Sequence, residues 1–202
     1  MSNISMTTSK RNAIVTVMLI SAFVSMLNQT ILNTALPAII KGLNITETTA
    51  QWLITGFMLV NGIMIPLTAF LMDKYSTRHL YIFSMAIFLI GSVVAAVSPT
   101  FSILMISRII QAIGAGILLP LMQFTVFTLF PAEQRGFAMG LAGVVVQSAP
   151  AIGPTLTGLF VDLFSWRMPF YLVSAIAAVA FILGFFFVEN NTKTKDIILD
   201  KI

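Results

Sequence analysis

One arginine stands inside an otherwise apolar run at 104–123, LMISRIIQAIGAGILLPLMQ. An arginine near the centre of a membrane helix costs about 2.5–3.5 kcal/mol on insertion scales, so such a side chain normally faces a bundle interior or a watery cavity. Gln111, Ala112, Ala115 and Leu119 follow Arg108 at helical spacing and make a polar-to-small face on which a guanidinium can be packed. Gly114 and Gly116 allow a neighbouring backbone to come close, and Pro120 offers a kink. The competing reading is a snorkelling arginine, because Arg108 lies within about two turns of the start of the run.

Three further constellations carry chemistry. The segment LNQTILNTALPAI holds Asn28, Thr30, Asn33 and Thr34, too polar a set to face lipid, so it is expected to turn inward. Residues 73–79 pack Asp73, Lys74, Arg78 and His79 into a short charged connection. Gly136 and Gly140, then Ala149, Gly153 and Thr157, recur every four residues and are expected to form a small-residue ridge, bent at Pro150 and Pro154. Together these groups can hold, move or relay charge. Covalent chemistry is excluded on other grounds: no His, Asp, Glu or Cys lies mid-span, so a membrane-embedded hydrolase has neither nucleophile with base nor metal ligands. The chain is expected not to be an enzyme, and to hold no metal and no organic cofactor. Met26, Phe57, Met58 and Phe124 are candidates for a permissive apolar pocket.

The elements that must position these residues follow from composition. Hydrophobic residues make up 58% of the 202 and charged residues 9%, against roughly half and a quarter in soluble domains. The net charge of +4 is dispersed, with no basic stripe, which argues against nucleic acid as a partner. Six apolar runs are long enough to cross a bilayer, at about 13–40, 50–72, 80–97, 101–130, 136–161 and 168–188. They imply an all-α membrane protein with a polar segment at 1–11, a six-span domain at 12–188 and a polar tail at 189–202. Six spans put both termini on one side. That side carries Lys10, Arg11, Lys74, Arg78, Arg135, Lys193, Lys195 and Lys201, the other only Lys41 and Arg167, so both termini are expected in the cytoplasm. Gln29…Leu36-Pro37 and Gln111…Leu119-Pro120 echo each other faintly, as two inverted triplets of spans would.

Several of these segments resemble the major facilitator superfamily, and more narrowly its fourteen-span drug/proton antiporters of the EmrB/QacA type, including lincomycin-export-like members. Leu71, Asp73, Lys74 and Arg78 resemble the gating signature between the second and third spans, with Ala69 and Ser76 where glycines are usual. Leu104…Arg108…Gln111…Gly114-Ala115-Gly116 resembles the fourth-span signature, whose arginine the family links to proton coupling. Ala149, Gly153, Pro154, Thr157 and Gly158 resemble the fifth-span antiporter signature. Thr30, Asn33, Ala35, Leu36 and Pro37 match the first-span pattern, but Asn28 stands where an aspartate is common. An amide cannot carry the proton a carboxylate would, so a titrating carboxylate is left to Asp162 or to protein outside this chain.

The resemblance implies the N-terminal six-helix domain of a major facilitator fold, built of 3+3 inverted repeats. It implies export of small amphipathic drug-like molecules, driven by the proton gradient across the cell membrane. It also implies a half transporter, a fragment or truncated product whose partners are the bilayer and a missing C-terminal half or a second copy. Two alternatives stay open: a non-transporting truncated partner of a full transporter, and a metabolite carrier of the same superfamily.

Overall fold

A computed structural model describes residues 7–188. The proposed tail at 189–202 and most of the segment at 1–11 lie outside the described residues. Six helices follow one another: α1 Thr8–Leu43, α2 Glu47–Lys74, α3 Thr77–Ala96, α4 Phe101–Leu129, α5 Ala132–Leu163 and α6 Met168–Phe187. All six are long and apolar enough to cross a membrane, and no strand occurs among the described residues. Even the 20-residue α3 and α6 reach about 30 Å, the thickness of a hydrocarbon core.

α1, α2 and α5 overrun the apolar runs that announce them at both ends and α3 at its start, while α4 and α6 stop one residue short of theirs. Residues 73–79 are not a loop: α2 continues to Lys74, α3 starts at Thr77, and only residues 75–76 link them. The physical cause is local capping. The Ser76 side chain accepts from the His79 backbone N–H at 3.4 Å, so the polar residues 77–79 can form the first helical turn. Thr46 and Thr100 cap α2 and α4 in the same way. Similarly, α1 takes in Lys10 and Arg11, and α5 starts four residues before Gly136. Hydropathy marks the lipid-facing length, whereas a helix runs on until a cap or a proline stops it.

The packing has an internal symmetry. α1 packs on α5 as α4 packs on α2, and α3 packs on α4 as α6 packs on α1, while α1·α4 and α3·α6 are also in contact. Exchanging the first three helices with the last three therefore reproduces the same pairings. Since successive spans alternate in direction, the two triplets are inverted with respect to each other, the 3+3 arrangement of the superfamily fold. Close approach rather than water exclusion holds this bundle, because lipid is as apolar as the side chains themselves. A methyl placed on Gly114 would sit 2.5 Å from the Ser84 carbonyl oxygen, so α3 and α4 approach closely there. Tyr81, wholly buried on α3, ties three helices: its hydroxyl pairs with Ser21 Oγ of α1 at 2.7 Å and donates to the Ala180 carbonyl of α6 at 2.9 Å.

Candidate functional site

Arg108 lies two turns into α4 and is 1% exposed. Its Nη1 donates to Gln111 Oε1 at 2.8 Å, one turn further into the membrane. Its guanidinium also sits 4.1 Å over the ring of Phe57 of α2. Gln111 connects this pair to two more helices. Its Oε1 accepts from Asn28 Nδ2 of α1 at 3.3 Å, and its Nε2 donates to Ser92 Oγ of α3 at 3.0 Å. Ser92 in turn donates its hydroxyl to the Phe88 carbonyl at 2.8 Å. One side chain, Gln111, thus links α1, α3 and α4, and Arg108 extends the cluster to α2. This is not the geometry of a snorkelling side chain, which would run to the membrane surface.

The charge in this cluster is incompletely compensated. Arg108 Nε and Asn28 Oδ1 are buried with no hydrogen-bond partner among the described residues. The contacts of Arg108 are an amide oxygen and a ring face, and neither carries a negative charge. A desolvated cation–π contact is worth about 2 kcal/mol, short of the cost of burying a guanidinium. The described acids do not help: Glu47, Asp73, Glu133 and Asp162 are all exposed and all lie in a terminal turn of a helix. The site is a fixed positive charge held by neutral groups drawn from four helices.

The other sequence-derived candidates scatter. Asp162 occupies the penultimate position of α5 and is exposed, with no polar side-chain partner among the described residues, and takes no part in the hydrogen bonds of the Arg108 cluster. Asp73 and Lys74 are exposed in the last turn of α2. Arg78 alone of the charged connection reaches another helix, donating from Nη2 to the Phe185 carbonyl near the end of α6 at 3.1 Å. In the first span, Asn28 is buried, Thr30 is half-buried with its hydroxyl donated to the Leu27 carbonyl at 2.9 Å, and Asn33 is exposed. On α5, Ala149, Gly153 and Thr157 are buried, and a methyl on Gly153 would collide with Thr30 of α1. Pro154 and Gly158 belong to the open side of the same helix.

The ridge expected on α5 needs correcting. Gly136 and Gly140 face open space, and the buried stripe is Ala138, Ala142, Val146, Ala149, Gly153 and Thr157. The step from Gly140 to Ala149 is nine residues, about two and a half turns, so the two glycines lie on the opposite side of α5 from Ala149, Gly153 and Thr157. The buried stripe instead inserts a step of three, between Val146 and Ala149.

A groove of about 190 Å3 opens between α1, α4 and α5. Met26, Met122 and Met139 line it together with Gln123 and Gln147. Of these only Met26 is among the candidates from the sequence; Phe57 is instead buried under Arg108, and Met58 is half exposed to the outside. The signal was present in spacing, since Met139, Gly143 and Gln147 share one face of α5, and Leu119, Met122 and Gln123 share one face of α4. The groove is smaller than the roughly 300 Å3 or more typical of a drug-sized site, and is one wall rather than an enclosure.

Comparison with known proteins gives the kinship. The family profile of the Major Facilitator Superfamily matches residues 18–200. The MFS-type transporter YcnB of Bacillus subtilis (strain 168) is 50% identical over 190 residues, covering 94% of this chain and 40% of that protein. The lincomycin resistance protein LmrB of the same organism is 40% identical over 177 residues, 88% of this chain and 37% of LmrB. The riboflavin transporter RibZ of Clostridioides difficile (strain 630) is 35% identical over 171 residues, 85% of this chain and 38% of RibZ. The chain spans about two fifths of the length of the curated relatives it matches. With its six membrane helices in inverted triplets and a family match over nearly its whole length, the chain belongs to the major facilitator superfamily.

Proposed function

We propose that this chain is the N-terminal six-helix half of an exporter of small amphipathic, drug-like molecules, driven by proton antiport across the cell membrane with both termini cytoplasmic. The observation that carries the reading is the Arg108 cluster: a buried cation, one amide linking three helices, and no carboxylate in contact among the described residues. A charge so placed responds strongly to any anion that approaches it. A carboxylate that loses its proton nearby, or that moves in or out with a change of conformation, would change the energy of contacts to α1, α2, α3 and α4 together. Gln111 is the coupling partner of Arg108, and the carboxylate is Asp162 or one in the second half. Asp73, Lys74 and Arg78 act at the end of the bundle, where Arg78 docks on α6 and its release would free that end. The methionine and glutamine groove is one wall of the substrate path, apolar and adaptable with two amides to orient a ligand. Its opposite wall is a C-terminal half or a second copy. Kinship with LmrB supports a drug-like substrate; kinship with RibZ supports a second reading, a carrier of a flat, polar-edged metabolite through the same groove.

The test is proton-linked efflux from proteoliposomes holding the assembled transporter. Arg108→Lys should reach the membrane at normal abundance and lose about tenfold or more of its efflux, because a point charge cannot reproduce hydrogen bonds of a charged planar fork worth about 1.5–3 kcal/mol. Gln111→Ala should lose less. Full efflux by Arg108→Leu at normal abundance would remove Arg108 from the mechanism. Efflux of riboflavin but not of lincomycin would select the carrier reading.

A further inference from the structure

The sequence TAFLMDKYSTR at 68–78 returns as TGLFVDLFSWR at 157–167, in one register and without a gap. Four residue types recur in place: Thr68 and Thr157, Asp73 and Asp162, Ser76 and Ser165, Arg78 and Arg167. A small residue, three apolar residues and an aromatic one match between them, and only Lys74 against Leu163 and Thr77 against Trp166 differ in kind. The structure keeps this register. Thr68 and Thr157 are both buried, and each hydroxyl donates at 2.7 Å to the carbonyl four residues back, that of Met64 and of Gly153. Asp73 and Asp162 are both exposed in the penultimate position of a helix. Tyr75 and Phe164 both cap the helix that ends there, each N–H returning to the carbonyl four residues back.

The two arginines make the same contact at opposite ends of one helix pair. Arg78, in the first turn of α3, donates from Nη2 to the Phe185 carbonyl near the end of α6 at 3.1 Å. Arg167, just before α6, donates from Nη2 to the Ser98 carbonyl just past the end of α3 at 2.9 Å. Each also sets its guanidinium over a ring, Phe185 at 5.6 Å and Trp166 at 4.3 Å. Exchanging the first three helices with the last three turns one contact into the other. Three spans separate the two connections, so they lie on opposite faces of the membrane. The α5–α6 connection reaches α1 as well: Trp166 is buried, and a methyl on Gly42 would collide with its indole.

We infer that the α5–α6 connection is a second gating connection, in which Arg167 latches α6 to α3 on the face opposite Arg78. Each latch is one charge-assisted hydrogen bond to a backbone carbonyl at a helix end, enough to hold that end and little enough to open. A carrier that opens to each side in turn needs such a device on both faces, and inverted repeats supply it twice from one pattern. Asp162 then stands where Asp73 stands, which leaves the titrating carboxylate to the second half. The inference takes its sense of a gate from the role proposed for Arg78.

The test is the accessibility of one cysteine in the groove between α1, α4 and α5, in right-side-out and inside-out vesicles holding the assembled transporter. No substrate and no gradient is present, so the outcome does not depend on what is exported. The chain has no cysteine, and Gly143→Cys adds one on the groove lining, where a methyl meets no neighbour within 4 Å. Arg167→Gln should raise labelling by impermeant maleimide about threefold from the face of the α5–α6 connection and lower it from the other, the weight of one hydrogen bond. Arg167→Lys keeps a donor for the single carbonyl acceptor and should restore the parental rates. Arg78→Gln should shift labelling toward its own face instead. Arg167→Met, with the stem kept and the donors gone, replaces Arg167→Gln if that variant is not recovered monodisperse. A strap with no gating role would lower the melting temperature and leave the ratio of the two labelling rates unchanged. That result, or a shift toward the face of Arg78, would overturn the inference. A shift with Arg167→Gln but none with Arg78→Gln would support the Arg167 latch and remove the gate role proposed for Arg78.

Discussion

Arg108 and Arg78 are held by the same two kinds of contact, yet they stand in opposite situations. Each gives one nitrogen to an oxygen and sets its guanidinium against a phenylalanine ring: Gln111 and Phe57 at 2.8 and 4.1 Å for Arg108, the Phe185 carbonyl and ring at 3.1 and 5.6 Å for Arg78. Arg78 is half-buried in the first turn of α3, where water reaches the rest of its charge. Arg108 is buried, and its Nε has no hydrogen-bond partner among the described residues. The same contacts therefore close a helix end in one place and leave a charge unsatisfied in the other. Location in the bilayer, more than the contact itself, decides whether an arginine is a fastener or a functional charge.

The sharpest way to break this contrast is to give Arg108 the negative charge it lacks. Asn28→Asp places a carboxylate in the cluster, one hydrogen bond away from the Gln111 oxygen that Arg108 also uses. The parent cluster of Arg, Gln, Asn and Ser has no group that ordinarily changes charge between pH 5 and 8, so its contribution to stability should be flat there. In the variant, the introduced carboxylate offsets the arginine when ionised at high pH, and protonation at low pH removes that compensation. A carboxylate stabilised by Arg108 titrates below the ordinary Asp value of about 3.9, so from pH 5 to pH 8 the variant should melt above the parent by a constant margin of about 1.5–3 kcal/mol, and lose that margin only as the pH falls from about 5 toward 3. Melting curves that coincide from about pH 3 to pH 8 would mean that the Arg108 charge is already compensated in the parent.

A smaller effect separates the two rings. Phe57→Leu keeps apolar volume and removes the π face under a desolvated guanidinium, a loss of about 2 kcal/mol. Phe185→Leu removes a ring at longer range from a hydrated one, about 0.5 kcal/mol. Thermal unfolding of the two variants should rank in that order. The reverse ranking would place the larger share of the binding energy at the helix end.

How much of this was legible follows from which contacts are local. The inward face of α4 could be read from Arg108, Gln111, Ala112 and Ala115, because all four lie on one helix and share its period. The partners from other helices could not: Phe57, Ser92 and Phe185 carry no pattern of their own and acquire meaning only when tertiary packing brings them alongside. The fold class was legible because bilayer thickness imposes a minimum apolar length on every span. The helix ends were not, because capping by Ser76 and prolongation through Lys74 depend on two or three residues with no hydropathy signal. The α5 stripe shows a different failure: Gly136 and Gly140 are nine residues out of step with Ala149, which on a helix of 3.6 residues per turn puts them on opposite sides.

The smallest expected effect is the conservative exchange at the helix end. Arg78→Lys keeps a cation in the first turn of α3 and keeps a donor for the Phe185 carbonyl, which is a single acceptor and asks for no planar fork. A lysine there retains its hydration, so no desolvation cost separates the two side chains, and the loss is confined to a ring contact at 5.6 Å. Stability should change by no more than about 0.5 kcal/mol, and efflux by the assembled transporter should stay within about twofold of the parent. Arg78→Gln shortens the side chain and removes the charge, and should lower the melting temperature by more than Arg78→Lys does. If Arg78→Lys instead abolishes efflux while leaving the melting temperature unchanged, then Arg78 does more than fasten α3 to α6. The distinction between a structural arginine at the bundle's end and a functional one in its interior would then fail.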